Sequence, residues 1–363
     1  MTPESRAIES VLEGAIATCR VPGLAAVVVA GGAVRAVGAS GLTNAKTGTP
    51  VVPETPFLWF SMTKIVTATA AMLLVEQGLL SLDDRVAGLV PGVLPPEGDE
   101  LVRVRHLLQH SAGIPNPPPI RWVRPAAMPA PDPETFLRER FARVRKLRFE
   151  PGTRSAYTNV GYLLLGEVIA AAAGRPFTDF VRDEILTPLG MHATSFAPTP
   201  SVATLVATGH QRLVRGFGPL VRAILPRGIV GARAGRWLMF RPFLVNGAPY
   251  GGLVGPVTDA ACLLLAHANG GKVGGTRILS EGAVREMQTI SLAGRPFDHG
   301  LGWFCPPKDR DRQPSFIEYY GGGGGYYNLL RLYPGAGVGV VVMGNSTSYD
   351  VDAVTNALAD PWL

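Results

Sequence analysis

The sequence predicts a mixed α+β fold, and three features carry that expectation. Short apolar runs joined by tight turns stand near each end, apolar helical runs lie between them, and proline-rich loops punctuate the middle. Leu24 to Ala30 and Ala33 to Ala39 read as strands joined by Gly31-Gly32, a two-residue hairpin signal. Ile65 to Gln77 contains neither Pro nor Gly and reads as a buried helix, with Gly78 as its terminator. Pro117-Pro118-Pro119 rules out regular structure within Pro115 to Pro133. Val160 to Ala173 is an alanine-rich helix closed by Gly174, and Tyr326 to Leu332 with Val338 to Met343 forms a second hairpin around Pro334-Gly335-Ala336-Gly337. No internal repeat is visible.

Ser61-Met62-Thr63-Lys64 is the most informative stretch. It places a hydroxyl and an amine three residues apart where a helix is expected to begin, and such residues share a helix face. A neutral Lys64 could accept the Ser61 proton, and a first-turn position would set unpaired backbone N–H groups near the attacking oxygen. With 14 Ser and 5 Lys in 363 residues, roughly 0.2 such pairs arise by chance, so the motif needs partners. Tyr157-Thr158-Asn159 supplies two. In an extended loop residues two apart point the same way, so Tyr157 and Asn159 can face one cleft. An ammonium favours a phenolate, which would let Tyr157 beside Lys64 deprotonate Ser61, while Asn159 suits both Lys64 and a substrate carbonyl. The bland alternative is a core Tyr and a helix-capping Asn.

Composition fits a soluble enzyme: 47% of the residues are hydrophobic and 17% charged, enough for a large core. Apolar stretches are broken by Gly, Pro or charge, so no transmembrane span is expected. Met1-Thr2-Pro3-Glu4-Ser5-Arg6 lacks the pattern of a secretory signal, and Cys19, Cys262 and Cys305 are scattered and odd in number; together they point to the cytoplasm. The net charge of +6 comes mostly from Arg, without a recognised nucleic-acid motif, so nucleic-acid binding is not expected. Between Glu184 and Asp259 there is no acidic residue, and Arg212, Arg215, Arg222, Arg227, Arg233, Arg236 and Arg241 alternate with apolar residues such as Leu213, Phe217, Leu220, Trp237 and Phe240. That pattern suits an amphipathic cap over an acyl pocket, a weak membrane-surface contact, or an ordinary solvated insertion. His106 and His110 have the spacing of a helical zinc pair but lack a Glu between them and a third ligand, so packing or loop anchoring is the better reading, with no metal. The absence of a Gly-x-Ser-x-Gly elbow argues against an α/β-hydrolase.

Ser61-x-x-Lys64 and Tyr157-x-Asn159 together resemble the first two motifs of the serine β-lactamase and penicillin-binding-protein superfamily, in its class C β-lactamase and family VIII esterase branch. Leu107-Leu108-Gln109-His110-Ser111-Ala112-Gly113-Ile114-Pro115, Pro188-Leu189-Gly190-Met191 with Thr194, Gly251-Gly252-Leu253 with Asp259, and Gly300-Leu301-Gly302-Trp303 are similar to further family landmarks in the expected order. The resemblance implies one catalytic unit over residues 1–363. Residues 1–60 with 250–363 would build an antiparallel sheet flanked by helices, residues 61–249 a mainly helical lobe, and the active site would lie between. The third motif departs from the pattern. Family members usually carry Lys-Thr-Gly or His-x-Gly on a strand, whereas Tyr319-Tyr320-Gly321 aligns here, with a register left open by the glycines that follow. A phenol in place of a cation donates a hydrogen bond but no charge. The Gly322 N–H is then a candidate second oxyanion donor, and the glycines permit close backbone approach. The expected function is a cofactor-free serine hydrolase acting through an acyl-enzyme on a small-molecule ester or amide, foremost a carboxylesterase on small or medium acyl esters. A β-lactamase, D,D-peptidase, acyltransferase or catalytically weak binding protein of the same fold are the alternatives. The oligomeric state is open.

Overall fold

The computed structural model describes residues 2–212, 218–307 and 315–363. Helix α1 (Pro3–Cys19) starts at Thr2, whose side chain accepts from Ser5 N–H, and leads into β1 (Gly23–Ala30) and β2 (Ala33–Gly41). Gly31 and Gly32 between them both have positive φ, 55° and 77°, as a two-residue hairpin of this twist requires. The apolar run after Ser61 becomes α2 (Thr63–Glu76), and the second becomes α3 (Asn159–Ala173), capped by the Thr158 hydroxyl and closed by Gly174 in the left-handed conformation. Helix α4 (Val257–Ala268) precedes β3 (Asp298–His299), β4 (Phe304–Cys305), β5 (Ile317–Gly323), β6 (Tyr326–Tyr333) and β7 (Val338–Gly344), and α5 (Val351–Ala359) follows.

The seven strands form one antiparallel sheet in the order β3-β4-β5-β6-β7-β1-β2, so the N-terminal hairpin is completed by strands from the other end of the chain. Strand β1 is buried on both faces because its side chains alternate between two cores. Ala25, Val27 and Val29 join the core that contains α2, α3 and α4, while Leu24, Ala26, Val28 and Ala30 pack with Ile8, Leu12, Val354 and Leu358 of α1 and α5. A slip of one residue would exchange the two sets, and the Val27–Val341 register excludes it. Across β5 and β6, Arg331 bonds Glu318 and also reaches Asn356 of α5, tying the sheet to its outer helix.

Helix α2 lies in the core, with Ile65, Val66, Ala68, Ala70, Ala71 and Leu74 all fully buried, which is why its sequence is apolar all round rather than amphipathic. Its neighbour α3 packs against the short helical turn Ala248–Gly251 so closely that a Cβ on Gly166 would lie 2.0 Å from the Pro249 ring. No single described helix is long and apolar enough to cross a membrane.

The arginine-rich stretch differs from the amphipathic reading. Its described part forms a small sheet of His210–Arg212, Val230–Ala234 and Trp237–Phe240, with Phe243–Val245 pairing Val123–Pro125. Trp237 and Phe240 are buried inside the protein, while Arg212, Arg222, Arg227, Arg233 and Arg241 are exposed. Strand pairing spends these apolar residues on the interior, so Trp237 and Phe240 offer no membrane-facing stripe. Leu213, Arg215 and Phe217 lie outside the described residues.

Candidate active site

Ser61 is not in the first turn of an α-helix, as the sequence suggests, but in a 3₁₀ turn, Phe60–Met62, that feeds α2. The turn is fixed from outside. Phe57 and Leu58 pair with Gly255 and Val254, Trp59 N–H donates to Leu253 O (2.9 Å), and the Trp59 indole donates to Gly255 O (3.1 Å). Phe60 adopts φ 47°, a conformation that costs a non-glycine residue about 1–3 kcal/mol. The ring contacts of Phe60 with Phe243 and Tyr326 hold it there. Strained backbone immediately before Ser61 presents its hydroxyl to the cleft.

Lys64, one turn on, is completely buried and has three acceptors: Ser61 Oγ (3.0 Å), Asn159 Oδ1 (2.9 Å) and Tyr250 O (2.8 Å). None is a carboxylate. Desolvation therefore pushes the Lys64 pKa well below its ordinary value. Two of the acceptors are carbonyls that can only accept, whereas Ser61 can also donate. A neutral Lys64 that gives its two N–H bonds to the carbonyls turns its lone pair toward Ser61.

Tyr157 Oη lies 2.7 Å from Ser61 Oγ and 3.1 Å from Asn159 Oδ1. The expectation of a phenolate is corrected here: burial raises the Tyr157 pKa, outweighing the Ser61 hydrogen bond that acts in the opposite sense. The phenol keeps its proton at neutral pH. The loop carrying Tyr157 is held by the 107–115 segment, through Ala156 N–H to His110 O (2.8 Å) and Thr158 N–H to His110 Nδ1 (3.2 Å). Asn159 opens α3, and its backbone N–H donates to Asn116 Oδ1 (2.9 Å).

The register of the third motif is settled by alternation along β5. Tyr319 and Gly321 face the cleft, whereas Tyr320 faces α5 and donates to Asp352 (2.7 Å). Tyr319 is fully buried and hydrogen-bonded to His110 Nε2 (3.0 Å). Gly321 backs directly onto the nucleophile turn: a Cβ there would lie 2.0 Å from Trp59 O and 3.1 Å from Met62 N. Gly322, beyond it, is exposed. Gly321→Ala is therefore expected to force β5 away from the turn. Displacements of this kind cost about 1–3 kcal/mol in packing and about a hundredfold in rate, so thermal melting and kcat measured together should both fall.

The structure thus brings Ser61, Lys64, Tyr157 and Asn159 into one hydrogen-bonded cluster, with Tyr319, bonded to His110, and Gly321 and Gly322 on the adjoining strand. Two contributors carry no signal in the sequence: the Tyr250 carbonyl, which is backbone, and Asn116, which stands in the proline-rich loop. His110 does anchor a loop, as expected, but it also reaches Tyr319. His106 bonds the Arg103 N–H through Nδ1 (3.1 Å). A separate cavity of about 690 Å³, lined by Leu163, Glu167, Phe177, Phe196 and Pro249, contains none of the cluster residues.

This architecture and cluster are those of the serine hydrolases that share the β-lactamase fold. The chain matches the family described as Beta-lactamase over residues 8–360 and belongs to it. It is 28% identical to Penicillin-binding protein 4 of Amycolatopsis lactamdurans, over 94% of this chain and 86% of that protein. With the D-alanyl-D-alanine-carboxypeptidase/endopeptidase AmpH of Escherichia coli strain K12 it shares 24% identity over 78% of this chain and 69% of the relative. Among solved structures, the octameric penicillin-binding protein homologue from Pyrococcus abyssi superposes with a TM-score of 0.76 at 27% identity, covering 98% of this chain and 76% of that one. The D-amino acid amidase from Ochrobactrum anthropi gives 0.79 at 22% identity over 99% and 98%, a likeness of fold.

Proposed function

We propose that this serine hydrolase is a carboxylesterase acting on short or medium acyl esters, with Ser61 as its nucleophile. Neutral Lys64 takes the Ser61 proton as Oγ bonds the ester carbon, and the resulting oxyanion accepts from the Ser61 and Gly322 N–H groups. Collapse breaks the bond to the leaving alcohol, which takes the Tyr157 proton. Deacylation reverses the roles: the Tyr157 phenolate takes a proton from water, and the Lys64 ammonium returns its own to Ser61 Oγ.

The observation that carries the ester reading is Tyr319, a neutral, fully buried phenol hydrogen-bonded to His110. The two potential cations beside it, Lys64 and His110, are both fully buried, and burial drives both pKa values down. A substrate carboxylate therefore finds no charged partner on β5. Penicillins, cephalosporins and D-alanyl-D-alanine peptides, the last named in the relative AmpH, all carry one; a simple ester does not.

The test is kcat/KM for p-nitrophenyl acetate and butyrate, a penicillin, a cephalosporin and a D-alanyl-D-alanine peptide. Wild type should favour the esters. Tyr319→Lys should move the ratio toward carboxylate-bearing substrates by about ten- to a hundredfold, the scale of one charge-assisted hydrogen bond. Efficient wild-type turnover of β-lactams or the peptide, undiminished in Tyr319→Phe, would refute the ester assignment.

A further inference from the structure

The cavity of about 690 Å³ beside α3 combines an apolar body with one carboxylate that has no partner. Phe136 reaches it from the helix Pro133–Phe141, Leu163 from α3, and Phe177 and Phe196 from the chain that follows, with ring centroids 5.5 Å apart. Small-molecule sites typically enclose about 300–1,000 Å³ and are likewise apolar with a few placed polar groups. Ala248 and Pro249 close one side. The next carbonyl of that turn, Tyr250 O, holds Lys64 at 2.8 Å, so an occupant lies behind the catalytic base and outside the reacting centre.

Five charged side chains line the cavity, and four of them are engaged. Arg182 bonds Asp179 and Asp183, both at 2.8 Å. Asp132 caps the helix Pro133–Phe141 by accepting from Thr135 N–H (2.9 Å). Arg124 donates to Met128 O (3.1 Å), Val245 O (3.1 Å) and Asn246 Oδ1 (3.0 Å), three acceptors that pin its guanidinium to the wall. Glu167 has no hydrogen bond or ion pair among the described residues. It is the one charged residue of α3, and its neighbours one turn away, Leu163 and Ala171, leave it no helical ion pair. Burial and the nearby carboxylates of Glu134 and Asp132 hold its pKa above the ordinary value, the shift expected of an acid without a cation.

We propose that this cavity binds a hydrophobic organic amine, with its ammonium on the Glu167 carboxylate and its alkyl or aryl body among Phe136, Phe177 and Phe196. An ammonium supplies the charge-assisted hydrogen bond that Glu167 lacks, and the three rings add cation–π attraction. A carboxylic acid of the same shape meets Glu167 and Asp132 as like charges. Arg124 is the group that favours such an acid, which makes the acid the discriminating control. The proposal does not depend on which ester the enzyme hydrolyses.

Isothermal titration calorimetry with phenylbutylamine tests it, with phenylbutanol and phenylpentanoate as controls that carry the same apolar body. The amine should bind about ten- to a hundredfold more tightly than the alcohol, the worth of one charge-assisted hydrogen bond, and the acid should bind more weakly than either. Glu167→Gln keeps the shape of the side chain; it should bring the amine down to the level of the alcohol and leave the alcohol unchanged. Ala170, also on the cavity wall, allows a second variant: Ala170→Phe fills the space and should weaken amine and alcohol alike. Thermal melting checks that both variants are folded. An amine that binds no better than the alcohol, or that keeps its affinity in Glu167→Gln, would overturn the proposal by removing the carboxylate from the site. Tighter binding of the acid would overturn it in favour of an anionic ligand on Arg124, and affinities untouched by Ala170→Phe would place the amine outside the cavity. None of these measurements needs turnover, so they are read apart from the acyl-enzyme mechanism, whose own failure shows as a Ser61 that takes up no fluorophosphonate.

Discussion

Ser61→Ala is expected to lower ester hydrolysis by at least about four orders of magnitude and to abolish covalent labelling by a fluorophosphonate. Ser61 Oγ is the hydroxyl within hydrogen-bonding distance of both Lys64 and Tyr157. Neighbouring hydroxyls are committed elsewhere: Thr63 Oγ1 accepts from Leu253 N–H (3.2 Å) and Thr67 donates to Pro249 O (2.6 Å). The loss should be chemical rather than structural. Without Oγ, Lys64 keeps both carbonyl partners, and Tyr157 keeps Asn159. The melting temperature should therefore stay near that of wild type. Ser155 is the nearest rival, because its Oγ lies 2.6 Å from His299 Nδ1, and burial lowers the His299 pKa to about 4. That keeps the imidazole neutral, but Ser155 is only 4% exposed, so no acyl group reaches it. Mass spectrometry decides the matter: adduct on Ser155, or on any serine of the Ser61→Ala protein, would show the nucleophile to be elsewhere.

What the sequence made readable was short in range. Ser61-x-x-Lys64 and Tyr157-x-Asn159 are local spacings, and each places its pair correctly whatever the rest of the chain does. The two hairpins are equally local, because Gly31-Gly32 and Pro334-Gly335-Ala336-Gly337 determine which strands neighbour each other. The third motif was harder for a physical reason. Along a run of five glycines no side chain reports which backbone position faces inward, and only the near contact of Gly321 with Trp59 O fixes the register. Resemblance supplied the alignment that the structure now explains.

Other features depend on long-range contacts and left no local mark. The 3₁₀ turn at Ser61 exists because Phe60 is held at positive φ by Phe243 and Tyr326, residues far along the chain. The short strands β3 and β4 carry too few residues for a period to register. Likewise, Arg233 to Phe240 reads as an amphipathic surface element only until pairing with Val230 and His210 is known. The charge state of Tyr157 was misread for a related reason. A neighbouring lysine favours a phenolate only if the lysine is charged, and burial of both side chains removes that premise.

Lys64 sets the second large effect, and its sign follows from that burial. Lys64→Ala should lower kcat by about two to four orders of magnitude, the range for losing positioned proton transfer. It also strips Tyr250 O of its lysine donor, whereas Asn159 Oδ1 keeps Tyr157, so a loss of stability of about 1–3 kcal/mol for the one orphaned carbonyl should accompany it. The pH profile separates the base from its neighbours. Lys64 works when neutral, so wild-type kcat/KM should be lost as pH falls through its pKa, which lies well below the ordinary 10.5 because no carboxylate compensates desolvation. Tyr157 works as an acid, so activity should fall again only at strongly alkaline pH, where its raised pKa is reached. The groups facing Lys64 are the rings of Tyr157, Tyr162 and Tyr250 and the imidazole of His110. Burial raises the tyrosine pKa values, which removes them as sources of an acidic limb. His110 is tested by His110→Gln, which should retain that limb. A phenolate base would give the opposite profile, with little activity at neutral pH and a rise only above the ordinary tyrosine value of 10.0; finding it would transfer the role of base from Lys64 to Tyr157.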